Sequence, residues 1–120
     1  MALSELFKRK VVPGRPEKIN DDLFQAEVLE SPVPVVVDFW ATWCAPCQVM
    51  GGLLEEIGPE FAGRVRIVKL NVEESPQTAA RFGISSIPTL IVFKKGKAVE
   101  KKVGLIPMQP LRQMLERHAS

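Results

Sequence analysis

Val35-Val36-Val37-Asp38-Phe39-Trp40-Ala41-Thr42-Trp43-Cys44-Ala45-Pro46-Cys47 is the stretch on which the reading of this 120-residue chain turns. Its first half is an apolar run with one acid and no alternation, which suits a strand buried on both faces of a sheet covered by helices. Its second half leads into residues 45–62, where Val49, Met50, Leu53, Leu54, Ile57 and Phe61 form an apolar stripe at helical spacing. The junction therefore predicts a strand giving way to a helix, with Cys44 at the helix N-terminus and Cys47 in its first turn. Gly51-Gly52 costs that helix ~1 kcal/mol per glycine, and a bend is expected there.

Outward from this unit the signals are those of a small α/β domain. Asn20-Asp21-Asp22 supplies an N-cap and an acidic first turn, and Leu23, Phe24 and Val28 follow at helical spacing, so a helix is expected to about Leu29. Ser31-Pro32-Val33-Pro34 stops it. Val65 to Asn71 reads as a second buried strand, and Ser75-Pro76 opens a short helix ending at Gly83. Residues 89–93 and 98–103 read as strands joined by the turn Lys94-Lys95-Gly96-Lys97. Pro107 begins a last helix with Leu111, Met114 and Leu115 facing inward. This order implies one α/β domain with parallel and antiparallel parts in its sheet. Residues 1–17, with Pro13, Gly14 and Pro16 among their charges, read as a loosely ordered basic arm, and residues 18–120 as the folded domain.

Composition narrows the class. With 46% hydrophobic and 25% charged residues the chain is globular rather than disordered. No apolar run approaches the ~18 residues of a membrane-spanning helix. The N-terminus lacks the apolar stretch and small-residue cleavage site of a secretory signal, so the expected compartment is the cytosol. Within the net charge of +2, residues 1–18 carry five basic side chains (Lys8, Arg9, Lys10, Arg15, Lys18) against Glu5 and Glu17, a net +3, and the rest of the chain is −1. A near-neutral body argues against a nucleic-acid partner.

The only two cysteines are Cys44 and Cys47. Cα atoms three residues apart on a helix lie ~5 Å from one another, within the ~4.4–6.8 Å that a disulfide needs. The sulfurs can therefore join or part with little backbone movement. The free N–H groups and dipole at a helix start favour a thiolate by ~1 kcal/mol, which primes Cys44 as a nucleophile, while Pro46 stiffens the turn and leaves Cys47 deeper. Plainer readings compete. A zinc half-site lacks ligands, since the only histidine is His118. A structural disulfide closing so short a loop gains only ~2 kcal/mol. Two inert buried cysteines are the third. Asp38, an acid inside an apolar strand six residues before Cys44, should have its pKa raised by desolvation and could take and return a thiol proton. The alternative is an aspartate that is merely hydrogen-bonded within the sheet.

Together with Ile87-Pro88-Thr89-Leu90, Phe93-Lys94-Lys95-Gly96 and Val103-Gly104, the opening stretch resembles the thioredoxin family, over about Ile19 to His118 and in the family's order. The resemblance implies a three-layer thioredoxin fold with a central mixed sheet flanked by helices. It also implies roles: Cys44 as attacking thiolate, Cys47 as resolving thiol, Asp38 as the buried acid-base group with Lys69 near it, and Pro88 as a cis-proline beside the dithiol. Trp43, Ala45, Pro46, Ile87, Pro88, Val103 and Gly104 would form a flat apolar patch that receives the substrate, with Trp40 packing beneath it. Ala45 stands where the family usually has glycine, Gln48 where lysine is frequent, Gly52 where a proline usually kinks the helix, and Ser85-Ser86 where a more varied pair precedes Ile-Pro. Without a histidine between the cysteines, the pair is expected to act as a reductant rather than an oxidase or isomerase.

The function expected is protein-disulfide reduction in the cytoplasm by a monomer without a bound cofactor, metal, nucleic acid or membrane. The resemblance implies re-reduction by a thioredoxin reductase, a flavoprotein drawing on NADPH. A non-redox docking module using the apolar patch is the alternative from another class, and an oxidase or isomerase is a further one.

Overall fold

The computed structural model describes residues 12–120. Its elements, in chain order, are β1 (Glu17–Ile19), α1 (Asp21–Phe24) continuing as a π turn over Gln25–Leu29, β2 (Val35–Trp40) and α2 (Ala45–Ile57) with a 3-10 turn over Gly58–Phe61. Then come β3 (Arg66–Asn71), α3 (Pro76–Arg81), β4 (Thr89–Lys94), β5 (Lys97–Val103) and α4 (Met108–His118). The sheet order is β1-β3-β2-β4-β5, so β2 is central. β3 runs parallel to both β1 and β2, whereas β4 is antiparallel to β2 and β5.

Strand alternation divides the core into two layers. Val36 of β2, Ile67 of β3, and Leu90 and Val92 of β4 pack with Met50, Leu54, Ile57 and Phe61 and with Leu111, Met114 and Leu115 of α4. Val35, Val37, Phe39, Val68, Leu70, Ile91 and Phe93 face the other way, onto Phe24 and Val28. Asp38 is two residues from Val36 and so lies on the side covered by α2. That placement follows from the period of the strand alone.

Local chemistry sets the boundaries. Asn20 caps α1 by accepting from Leu23 N–H at 3.0 Å, and Asp21 reaches across to α3, accepting from Gln77 N–H, Thr78 N–H and the Thr78 hydroxyl. The β4–β5 turn has positive φ at both Lys95 (51°) and Gly96 (79°), as a two-residue hairpin turn of matching twist demands. Helix α2 stays α-helical through Gly51-Gly52 and passes into the 3-10 turn at Gly58-Pro59, because Pro59 has no N–H to give the helix. Val49, expected on the buried stripe, is 53% exposed, since it lies off the face formed by Cys47, Met50, Leu54 and Ile57.

The expected boundary at Lys18 falls inside β1, which pairs with Val68–Leu70 of β3. The expected arm is described only from residue 12, and residues 1–11 lie outside the described residues. Its last part is packed against the domain. Gly14 (φ 90°) meets Gly58 so closely that a Cβ on either would collide with the other's carbonyl, and Arg15 pairs with Glu55. Arg66 of β3 joins Glu17 of β1 (2.6 Å) and Glu27 of the π turn (2.9 Å).

Candidate active site

Cys44 occupies the N-cap of α2 with extended backbone (φ −95°, ψ 107°), and Ala45 and Pro46 are the first two helical residues. The two cysteines are joined as a disulfide with Cα atoms 5.2 Å apart. The N–H of Cys47 donates to Cys44 Sγ at 3.2 Å, and the same donor would serve a Cys44 thiolate after reduction. Both residues are buried, Cys44 at 5% exposure and Cys47 at 2%. Cys44 Sγ also lies 3.8 Å from the Ile87 carbonyl oxygen. The Ile87-Pro88 peptide is cis.

The apolar surface around the disulfide comes from three elements. Trp43, 70% exposed, with Ala45 and Pro46 stands at the mouth of α2. Ile87 and Pro88 lead into β4, with Ile87 half-buried and Pro88 buried. Val103 is exposed at the end of β5, pairs with Thr89, and is followed by Gly104, whose N–H donates to the Pro88 carbonyl at 2.7 Å. Val49 and Leu105 are further exposed apolar residues beside it that sequence reasoning did not place here. Their signal was positional: Val49 is four residues after Ala45, on the same helix face, and Leu105 directly follows Gly104.

Asp38 lies beneath α2 at 2% exposure, and its Oδ1 has no hydrogen-bond partner. Burial pushes its carboxyl up to about 7, against a smaller opposing pull from the Lys69 ammonium. Lys69 is Asp38's register partner on β3, and its Nζ sits 5.8 Å from the centroid of the Trp40 ring. The arrangement can make and break a disulfide at the N-terminus of α2, and beneath the same helix lies a carboxyl that exchanges a proton near neutral pH.

Residues 15–117 match the family model described as Thioredoxin. The chain is 46% identical over 101 residues to Thioredoxin 1 of Nostoc sp., an alignment covering 84% of this chain and 94% of that protein. It is 45% identical over 100 residues to the thioredoxin of Haemophilus influenzae, covering 83% and 94%. It is also 45% identical over 108 residues to the chloroplastic M-type thioredoxin of Chlamydomonas reinhardtii, covering 90% and 77%.

Proposed function

The chain belongs to the thioredoxin family, and from that premise we propose a step-by-step assignment of its protein-disulfide reductase activity to the residues of this site. It is a thiol-disulfide oxidoreductase, and the observation that carries this is the Cys44–Cys47 disulfide at the N-cap of α2, with the Cys47 N–H aimed at Cys44 Sγ.

In the reduced protein Cys44 thiolate attacks one sulfur of a client disulfide, forming a Cys44–client mixed disulfide and releasing the client's other sulfur as a thiolate that takes up a proton. Asp38 carboxylate then accepts the Cys47 proton. The Cys47 thiolate attacks Cys44 Sγ, closing the Cys44–Cys47 disulfide and expelling the second client thiolate. Two electrons pass to the client, and Asp38 returns its proton to solvent. An Asp38 carboxyl that is about half ionised at pH 7 suits this exchange, because it can both take and give a proton without a large free-energy step. Lys69 sets the field that keeps that balance near neutrality.

Clients dock on the patch of Trp43, Ala45, Pro46, Ile87, Val103 and Gly104, backed by the buried Pro88, which presents apolar area around sulfurs that are themselves almost covered. The protein works in the cytoplasm as a monomer without a bound cofactor, and a flavoprotein thioredoxin reductase returns it to the dithiol with electrons from NADPH. No helix among the described residues is long and apolar enough to cross a membrane.

The reading is tested with NADPH, a flavoprotein thioredoxin reductase and insulin as a disulfide client. NADPH consumption should require the wild-type chain and vanish with Cys44→Ser. Equal consumption with Cys44→Ser would overturn the assignment, and none with the wild type would overturn the recycling.

A further inference from the structure

Three features of α2 point to one device. Gly51 and Gly52 fall on consecutive turns with Gln48 and Glu55, a set spaced i, i+3, i+4 and i+7 along one flank of the helix. Neither glycine is required by packing or backbone. A Cβ at either would meet nothing within 4 Å, and neither has a positive φ. Two glycines in a helix interior still cost ~1 kcal/mol each relative to alanine. What they leave is a crevice of about 230 Å³ walled by Pro16, Gln48, Gly51, Gly52, Glu55 and Lys69. The Asp38 carboxyl, almost fully buried and with Oδ1 unpartnered, lies at the crevice wall.

We propose that the gap at Gly51 and Gly52 is a hydrated conduit through which Asp38 exchanges its proton with bulk water while a client covers the dithiol. The crevice is polar and large enough for several water molecules, and Asp38, Lys69, Gln48 and Glu55 give them partners. Its direction is the second argument. Lys69 is on β3 and Pro16 precedes β1, so the crevice opens over the β1–β3 half of the sheet. The patch spreads from the start of α2, with Trp43, Ala45 and Pro46, toward the β4–β5 half, with Pro88 and Val103. A client seated on the patch leaves the conduit open. Cys47 is four residues before Gly51, which puts the thiol whose proton Asp38 receives one helical turn from the conduit. Glu55, held by Arg15, borders the crevice, and the turn carrying Arg15 and Pro16 forms part of its wall.

The inference rests on the reading of Asp38 as the proton acceptor for Cys47, and the experiment separates the two. Reduced protein is mixed in a stopped-flow instrument with an aromatic disulfide whose thiolate is coloured. The first equivalent reports attack by Cys44 and the second reports resolution by Cys47. Two plugged variants are compared with wild type, Gly51→Ala/Gly52→Ala and the bulkier Gly51→Leu, with Asp38→Asn alongside. Drying the crevice makes Asp38 harder to ionise. A rise of one pKa unit from about 7 leaves about a tenth of it ionised at pH 7 instead of half, so the second phase should slow by roughly five-fold and its pH midpoint should move upward. The first phase should be unchanged, and the alanine variant should be more thermostable. A second phase and midpoint equal to wild type in both plugged variants, while Asp38→Asn abolishes the pH dependence, overturns the conduit alone. If Asp38→Asn keeps the wild-type profile, the role of Asp38 fails and the conduit with it.

Discussion

Replacing Asp38 by asparagine should stabilise the protein increasingly as the pH rises. The carboxyl ionises at an ordinary value of 3.8 in the unfolded chain and at about 7 in the fold, where burial opposes its charge more than Lys69 favours it. Between those values the unfolded chain has released the proton and the folded chain has kept it, so stability is lost as the pH rises. At 1.36 kcal/mol per pKa unit, the penalty is roughly 2 kcal/mol at pH 5 and roughly 4 kcal/mol at pH 8. The difference in unfolding free energy between Asp38→Asn and wild type should therefore grow by about 2–3 kcal/mol over that range. Any fixed cost of burying the amide cancels in this comparison, as do the shared titrations of other groups. Urea unfolding of the oxidised proteins at both pH values, followed by Trp40 and Trp43 fluorescence, measures it. A difference that stays constant from pH 5 to pH 8, or one that shifts in favour of the wild type, refutes the burial argument.

The packing of the fold gives two further expectations. Asp21→Ala removes the acceptor for Gln77 N–H, Thr78 N–H and the Thr78 hydroxyl, and should cost ~1–2 kcal/mol in thermal or urea unfolding. Partial burial raises the Asp21 pKa but the bonds from Thr78 and Gln77 outweigh it, so its net shift is downward; the carboxylate's contribution is present above pH 3.8 and lost as the pH falls through its lowered value. Wild type and variant should therefore converge in strong acid, and a gap that persists there would contradict the capping role. Gly14→Ala and Gly63→Ala both place alanine at positive φ, ~1 kcal/mol each, but only the first also drives a Cβ into the Gly58 backbone. Gly14→Ala should be clearly the more destabilising in urea unfolding, and equal costs would show that residues 12–16 are not held against the 3-10 turn.

The parts of the fold legible in the sequence were those where one residue's chemistry decides its own environment. The unbroken apolar run at residues 35–40 marked a strand covered on both faces, and the spacing of Cys44 and Cys47 marked a helix start able to close a disulfide. Asp38 stood out because no other acid interrupts such a run. What escaped depends on contacts between residues far apart in the chain. Glu17-Lys18-Ile19 has one apolar residue and forms β1 through backbone bonds to β3, for which side chains give no signal. The seating of residues 12–16 rests on Gly14 against Gly58, two glycines whose meeting cannot be read from either. In the sequence Gly51-Gly52 signals a bend in the helix, and only the position of Asp38 and Lys69 beside the pair gives it another meaning. Val49 shows the limit of a helical stripe read by eye: its hydrophobicity fits the core, but its angle on α2 points it outward.

The central claim is that Cys44 attacks and Cys47 resolves, and the amount of coloured thiolate released by a single addition of aromatic disulfide tests it most directly. Reduced wild type should release two equivalents. Cys47→Ser should release one and hold the other on Cys44, where mass spectrometry of the intact protein can weigh it. Cys44→Ser should release none on the same timescale. Two equivalents from Cys47→Ser, or release from Cys44→Ser at the wild-type rate, would contradict the account.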